Sequence, residues 1–147
     1  MTGQQKIITA ARAWIGTPWH HRASCLGAGA DCLGLIRGVW RDVIGPEPEL
    51  LPLYSEDWSQ LRRRWGLKNR LASYFTPCAA ALARPGDVIL LRISPRSGAK
   101  HLAILAHKSD TLTLIHSYQK HGVIEQTYTP SWRRRAVAGF CFPDRLN

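Results

Sequence analysis

The sequence predicts an α+β fold, with helices first and an antiparallel β-sheet after them, on three observations. Apolar residues recur at helical intervals in the first half of the chain, as in Ile7, Ile8, Ala11, Trp14 and Ile15. After Arg84-Pro85-Gly86 the period shortens to that of strands, and turn-forming residues divide the remainder into short segments. Strands and helices do not alternate, so the βαβ units of a parallel sheet are not expected. A length of 147 residues suits a single domain over 1–147, and 45% hydrophobic against 20% charged residues excludes a disordered chain.

The first helix is expected over residues 4 to 15, stopped by Gly16-Thr17-Pro18. A loop of Gly, His and small residues runs from 16 to 31. Asp31 is then placed to cap a second helix whose inward face is Leu35, Ile36, Val39, Trp40 and Val43, ended by Gly45-Pro46. Residues 46 to 52 read as an extended surface linker, because each proline disfavours helix in the residue before it. One or two further helices follow over about 57 to 75, marked by Trp58, Leu61, Trp65, Leu71, Tyr74 and Phe75. Strands are expected at 87–92, 101–107, 111–118, 123–128 and 136–142.

Twenty Lys and Arg against ten Asp and Glu give a formal charge of +10, which favours anionic partners. The triplets Arg62-Arg63-Arg64 and Arg133-Arg134-Arg135 read first as solvated basic surface and second as docking sites. No nucleic-acid-binding motif accompanies the charge, so a specific nucleic-acid partner is not expected. The N-terminus lacks signal-peptide architecture, and no apolar run approaches the roughly 20 residues of a bilayer span; synthesis in the cytoplasm without membrane insertion is expected.

Cys32 is the cysteine with chemistry around it. It follows the Gly27-Ala28-Gly29-Ala30 loop and opens the second helix, where unsatisfied amides favour thiolate over thiol. Cys78 and Cys141, in apolar surroundings, read as small buried residues, and Cys25 as an incidental loop residue. His20, His21, Cys25 and Cys32 offer four zinc-ligand types, but their spacing matches no usual zinc pattern, and no metal or organic cofactor is expected. His107 and His121 read as strand-end and turn residues.

A cysteine hydrolase needs an imidazole and a group that orients it. His101 and His116 lie on the two strands of one expected hairpin. A two-residue loop at Lys108-Ser109 would set them directly opposite; a loop over 108 to 111 would leave them diagonal neighbours on the same face.

Five segments carry a family resemblance: 13–19 (Ala-Trp-Ile-Gly-Thr-Pro-Trp), Asp31-Cys32-Leu33-Gly34-Leu35, Arg84-Pro85-Gly86-Asp87-Val88, His101-Leu102-Ala103-Ile104 and Ile115-His116. In order and spacing they resemble the NlpC-type (NlpC/p60-like) cell-wall cysteine peptidases. That resemblance implies a papain-like fold and cleavage of peptidoglycan stem peptides, typically between D-glutamate and a diamino acid. It also implies Cys32 as nucleophile, His101 as general base, His116 as orienting third member, and Asp31 at the free amino end of the stem peptide. Trp19 stands where the family usually has tyrosine and Leu33 where it commonly has serine, so both are read as substrate-binding positions. Residues 37–41 and 45–49 resemble the branch of tailed phages and gene transfer agents. That branch implies assembly with tail or hub proteins and action on the cell wall from a tail tip. The alternative is a weakly active or inactive tail adaptor that keeps the peptidase fold.

Overall fold

The computed structural model describes residues 1–48, 66–94, 96 and 98–143. Helix α1 (Gly3–Ala13) opens on a capping box in which the Thr2 hydroxyl accepts from the Gln5 amide and the Gln5 side chain accepts from the Thr2 amide. It buries Ile7, Ile8 and Ala11, and Trp14 follows them into the core. Ile15, expected inward, is 45% exposed, because the helix ends at Ala13 and the chain turns at Gly16 with φ +95°. The following loop contains an unforeseen two-stranded hairpin, β1 (Ser24–Cys25) with β2 (Gly29–Ala30).

Helix α2 (Cys32–Val43) begins where the sequence placed it, capped by Asp31, whose Oδ1 accepts from the Gly34 amide at 2.7 Å. The other Asp31 oxygen accepts from the Arg22 amide at 2.7 Å, and the Ser24 hydroxyl donates to the Gly34 carbonyl at 2.6 Å. Only glycine fits at 34: a Cβ there would lie 1.9 Å from the Ala23 carbonyl oxygen. The hairpin and the first turn of α2 are therefore one packed unit, and Cys32 sits in it. Beyond α2, Glu47 pairs with Arg37 at 2.6 Å and Arg41 at 3.3 Å. Residues 49–65 lie outside the described residues, and with them the rest of the expected linker, Trp58, Leu61, Trp65 and the Arg62–Arg64 triplet. Helix α3 (Gly66–Leu71) buries Leu67 and Leu71.

Six strands form one antiparallel sheet in the order β3-β8-β4-β5-β6-β7. They are β3 (Thr76–Cys78), β4 (Val88–Arg92), β5 (Ala99–Lys108), β6 (Thr111–Tyr118), β7 (Gly122–Thr127) and β8 (Ala136–Cys141). β3 was not expected; Pro77 weakens the strand signal, and an edge strand tolerates it. The sheet alternates sides as its period of two requires. Val88, Leu90, Leu102, Ile104 and Ile115 join the α1/α2 core, whereas Ile89, Leu91, Ala103, Leu105 and Leu114 form a second cluster with Tyr128 and Trp132.

Trp132 comes from a further unforeseen element, helix α4 (Pro130–Arg135), capped by Thr129 with Pro130 at its first turn. The Arg133–Arg135 triplet ends this helix and is partly structural. Arg133 lies over the Tyr128 ring, and Arg135 lies over Trp132 and donates to the Ile93 carbonyl at 2.9 Å. At the β5–β6 turn, Ile104 faces Ile115 and Lys108 faces Thr111 around Ser109-Asp110. The turn is thus two residues long but at Ser109-Asp110, neither Lys108-Ser109 nor 108–111, and its register, the one a 108–111 loop would give, makes His101 and His116 diagonal neighbours on one face.

Candidate active site

His101 Nε2 and His116 Nδ1 are 2.6 Å apart, and His116 Nε2 lies 2.6 Å from Gln126 Oε1. His116 faces Ile124 across the β6–β7 ladder, so Gln126 is its diagonal neighbour on the same side of the sheet. A carboxamide oxygen only accepts, so this orientation of Gln126 assigns the His116 proton to Nε2. Nδ1 of His116 then accepts from His101 Nε2–H, and Nδ1 of His101 is left as the basic nitrogen. Aromatic side chains hold the pair in place: Trp132 stacks on His101 at 6.1 Å between centroids and meets His116 edge-on at 5.4 Å. Tyr118 packs edge-on against His101 at 5.8 Å.

Cys32, His101, Asp31 and Trp19 line one cavity of about 530 Å³, which Tyr118 and His121 also line. Five sequence-predicted positions are thus brought together: these four, and His116 through its bond to His101. Leu33 is not among them. It is 2% exposed and packs into the α1/α2 core, because its side of α2 faces the sheet and not the cavity.

The electrostatics of the resting site differ from the expected thiolate. Burial, and then the Asp31 carboxylate, push the Cys32 thiol up from 9.0 to about 12, against the opposing pull of the Leu102, Leu33 and Cys32 amides. The amides at the helix start act as foreseen, and desolvation overrides them. The thiol is directed at the Lys100 carbonyl, 3.7 Å away. Burial and then His116 push His101 down from 6.5 to about 3, and burial also lowers His116, with Gln126 opposing. At neutral pH the site holds a neutral thiol beside two neutral imidazoles.

Sequence reasoning missed Gln126, Trp132 and Tyr118. Carrying the register argument one strand further would have put 126 on the face of 116. The Thr129-Pro130 helix start was the only local signal for Trp132. Of the other cysteines, Cys25 is exposed as anticipated, whereas Cys78 and Cys141 are half-buried and not enclosed in the core. They sit beside the buried carboxylate of Asp87. No helix among the described residues is long and apolar enough to cross a membrane.

No protein-family model matches the chain, and no curated protein matches its sequence. Solved structures do match in fold. The NlpC/p60 domain of the peptidoglycan hydrolase SagA aligns with a TM-score of 0.65 at 21% identity, over 95% of this chain and 98% of that one. An N-acetylmuramoyl-L-alanine amidase from Bacteroides uniformis aligns with a TM-score of 0.65 at 10% identity, over 97% and 99%. An NlpC/p60 family protein from Bacillus cereus aligns with a TM-score of 0.64 at 16% identity, over 92% of this chain, which spans only 39% of that protein. At these identities the likeness is one of fold, and it is the α+β, papain-like arrangement that the sequence predicted.

Proposed function

We propose that this chain is a cysteine endopeptidase that cleaves peptidoglycan stem peptides, with the bond between D-glutamate and a diamino acid as its target. The observation that carries the reading is a cysteine at a helix start, lining the same cavity as the hydrogen-bonded row His101–His116–Gln126. Because thiol and imidazole are both neutral at rest, the Cys32 proton passes to His101 Nδ1 as the sulfur adds to the scissile carbonyl. His116 takes up part of the developing charge through its bond to His101. The resulting imidazolium protonates the departing amine, and water then hydrolyses the thioester. The Cys32 and Leu33 amides, which already act on the sulfur, are the donors for the oxyanion. Asp31 and Trp19, on the cavity wall, are assigned to the amino end of the stem peptide.

The net charge of +10 and the resemblance of residues 37–41 and 45–49 to the tail-associated branch support a place at a phage-like tail tip, with hub proteins as partners. One observation favours the adaptor reading instead: the Cys32 thiol packs against the core and is aimed at the Lys100 carbonyl, 3.7 Å away, an arrangement that favours the neutral thiol over the nucleophilic thiolate. The deciding experiment is digestion of purified peptidoglycan by wild type and Cys32→Ala, with fragments identified by mass spectrometry. Fragments from wild type alone are expected, and their masses give the bond. Equal digestion by Cys32→Ala refutes the peptidase. No digestion by a folded wild type that co-purifies with tail particles favours the adaptor, and failure to co-purify refutes the tail placement.

A further inference from the structure

A second group of reactive side chains lies at the other edge of the sheet. Cys78 of β3, Cys141 of β8 and Asp87, just before β4, place two thiols and a carboxylate within 4.8 Å of one another. Cys78 faces Gly139 and Cys141 faces Thr76 across the β3–β8 ladder, so the two thiols are diagonal neighbours on one face. Gly139 is the residue that leaves room for them. A Cβ at that position would lie 2.7 Å from Cys78 Sγ and 3.1 Å from Ala83 Cβ, so any larger residue displaces the sulfur from the cluster. Asp87 is 7% exposed, and its Oδ2 accepts from the Arg84 amide at 2.9 Å, which fixes the carboxylate's direction. A cavity of about 290 Å³ lined by Gln4, Arg84, Asp87 and Cys141 adjoins the cluster.

We propose that Cys78, Cys141 and Asp87 form a site for a zinc-class divalent cation, with a water in the adjoining cavity as the fourth ligand. Two thiolates and a carboxylate suit a borderline-soft ion, and tetrahedral zinc needs its ligand atoms roughly 3.6–3.8 Å apart, inside the 4.8 Å that bounds the present cluster. The backbone bond that holds Asp87 is the kind of outer contact that orients a metal-binding carboxylate. A dication would draw the three groups together, release one proton from each thiol and leave a single net negative charge on the cluster. Its mechanical effect is to tie the edge strand β3 to β8 and to the turn before β4. This inference is independent of the chemistry assigned to Cys32.

Cobalt(II) is the first probe, added to Cys32→Ala protein so that the catalytic-cavity thiol is absent. Expected are one equivalent bound and a sulfur-to-cobalt charge-transfer band of two-thiolate intensity, displaced by zinc. The band is halved in Cys78→Ser or Cys141→Ser, lost in the double variant, and needs at least tenfold more metal in Asp87→Asn. No thiolate band at saturating cobalt, or a band that survives in the double variant, overturns the proposal. Because the serine variants can loosen the sheet edge, a second measurement uses the unaltered chain. Zinc should slow iodoacetamide labelling of Cys78 and Cys141 and leave Cys25 unchanged, with EDTA restoring the rates. Equal labelling with and without zinc overturns the site, as does a Cys78–Cys141 disulfide formed in place of metal binding.

Discussion

The pKa of Cys32 makes a prediction that needs no substrate. A rise from 9.0 to about 12 lowers the thiolate fraction at neutral pH by roughly a thousandfold. The more basic sulfur is also the better nucleophile, by about twentyfold over three units at a Brønsted slope of about 0.4–0.5. The two effects leave iodoacetamide labelling of Cys32 about fifty times slower in the folded chain than in the urea-unfolded chain at pH about 7. The folded rate should climb about tenfold per pH unit from about 6 to 10, followed by mass spectrometry of the Cys32 peptide. Asp31→Asn is the informative variant: asparagine keeps an oxygen for the Gly34 amide that caps α2, though it gives up the Arg22 contact, and it removes the charge that, after burial, raises the thiol. Labelling should therefore quicken severalfold with α2 intact by circular dichroism. A rate that is flat between about pH 5 and 8 would mean that a thiolate–imidazolium pair already exists at rest, and the neutral-site reasoning would be wrong.

Three further outcomes follow from the same geometry. Gln126→Leu leaves the His116 Nε2–H without its acceptor, costs about 1–3 kcal/mol and should lower peptidoglycan turnover about ten- to a hundredfold, whereas Gln126→Glu should retain activity and shift its acid limb upward. For acid stability, His101 stays neutral in the fold down to about 3 while the unfolded chain protonates near 6.5. Stability present above 6.5 is therefore lost as pH falls, by about 3 kcal/mol at pH about 4, and urea midpoints should show a shallower loss in His101→Gln. Gly34→Ala drives a methyl into the Ala23 carbonyl and should lower stability by about 1–3 kcal/mol by urea titration, with Cys32 displaced and turnover lost.

How much of this could be read from the sequence depended on whether the signal was local and strong. Helix α2 was legible because Asp31 supplied a cap and the apolar stripe behind it was long. β5 and β6 were legible because period-two patterning sets both strand and face, and the same arithmetic puts His101 and His116 on one face of their hairpin. β1 and β2 were not, since two residues cannot display a period of two, and α4 was not, since six residues make fewer than two helical turns. Gln126 is different in kind: nothing in its neighbours marks it, and it joins the site only through the β6–β7 register that aligns 114 with 126.

The thiolate expectation failed for a related reason. Helix-start electrostatics can be read from a few consecutive residues, but the desolvation of Cys32 is set by how those residues pack against β5, 68 positions away in the chain at Lys100. Asp31 shows how closely the two are joined, because the carboxylate that makes α2 begin at Cys32 is also the nearest charge opposing its ionisation. The Cys32 thiol is held neutral by burial first and by Asp31 second, so offsetting the Asp31 charge would remove part of what opposes its ionisation. A cationic amino end of a substrate, bound against Asp31 in the shared cavity, would supply the offset where it is needed. On the proposed function, substrate binding and nucleophile activation would then be one event. The observable consequence is that Cys32 labelling should accelerate in the presence of a stem-peptide fragment with a free amino end, and should not when that amine is acetylated.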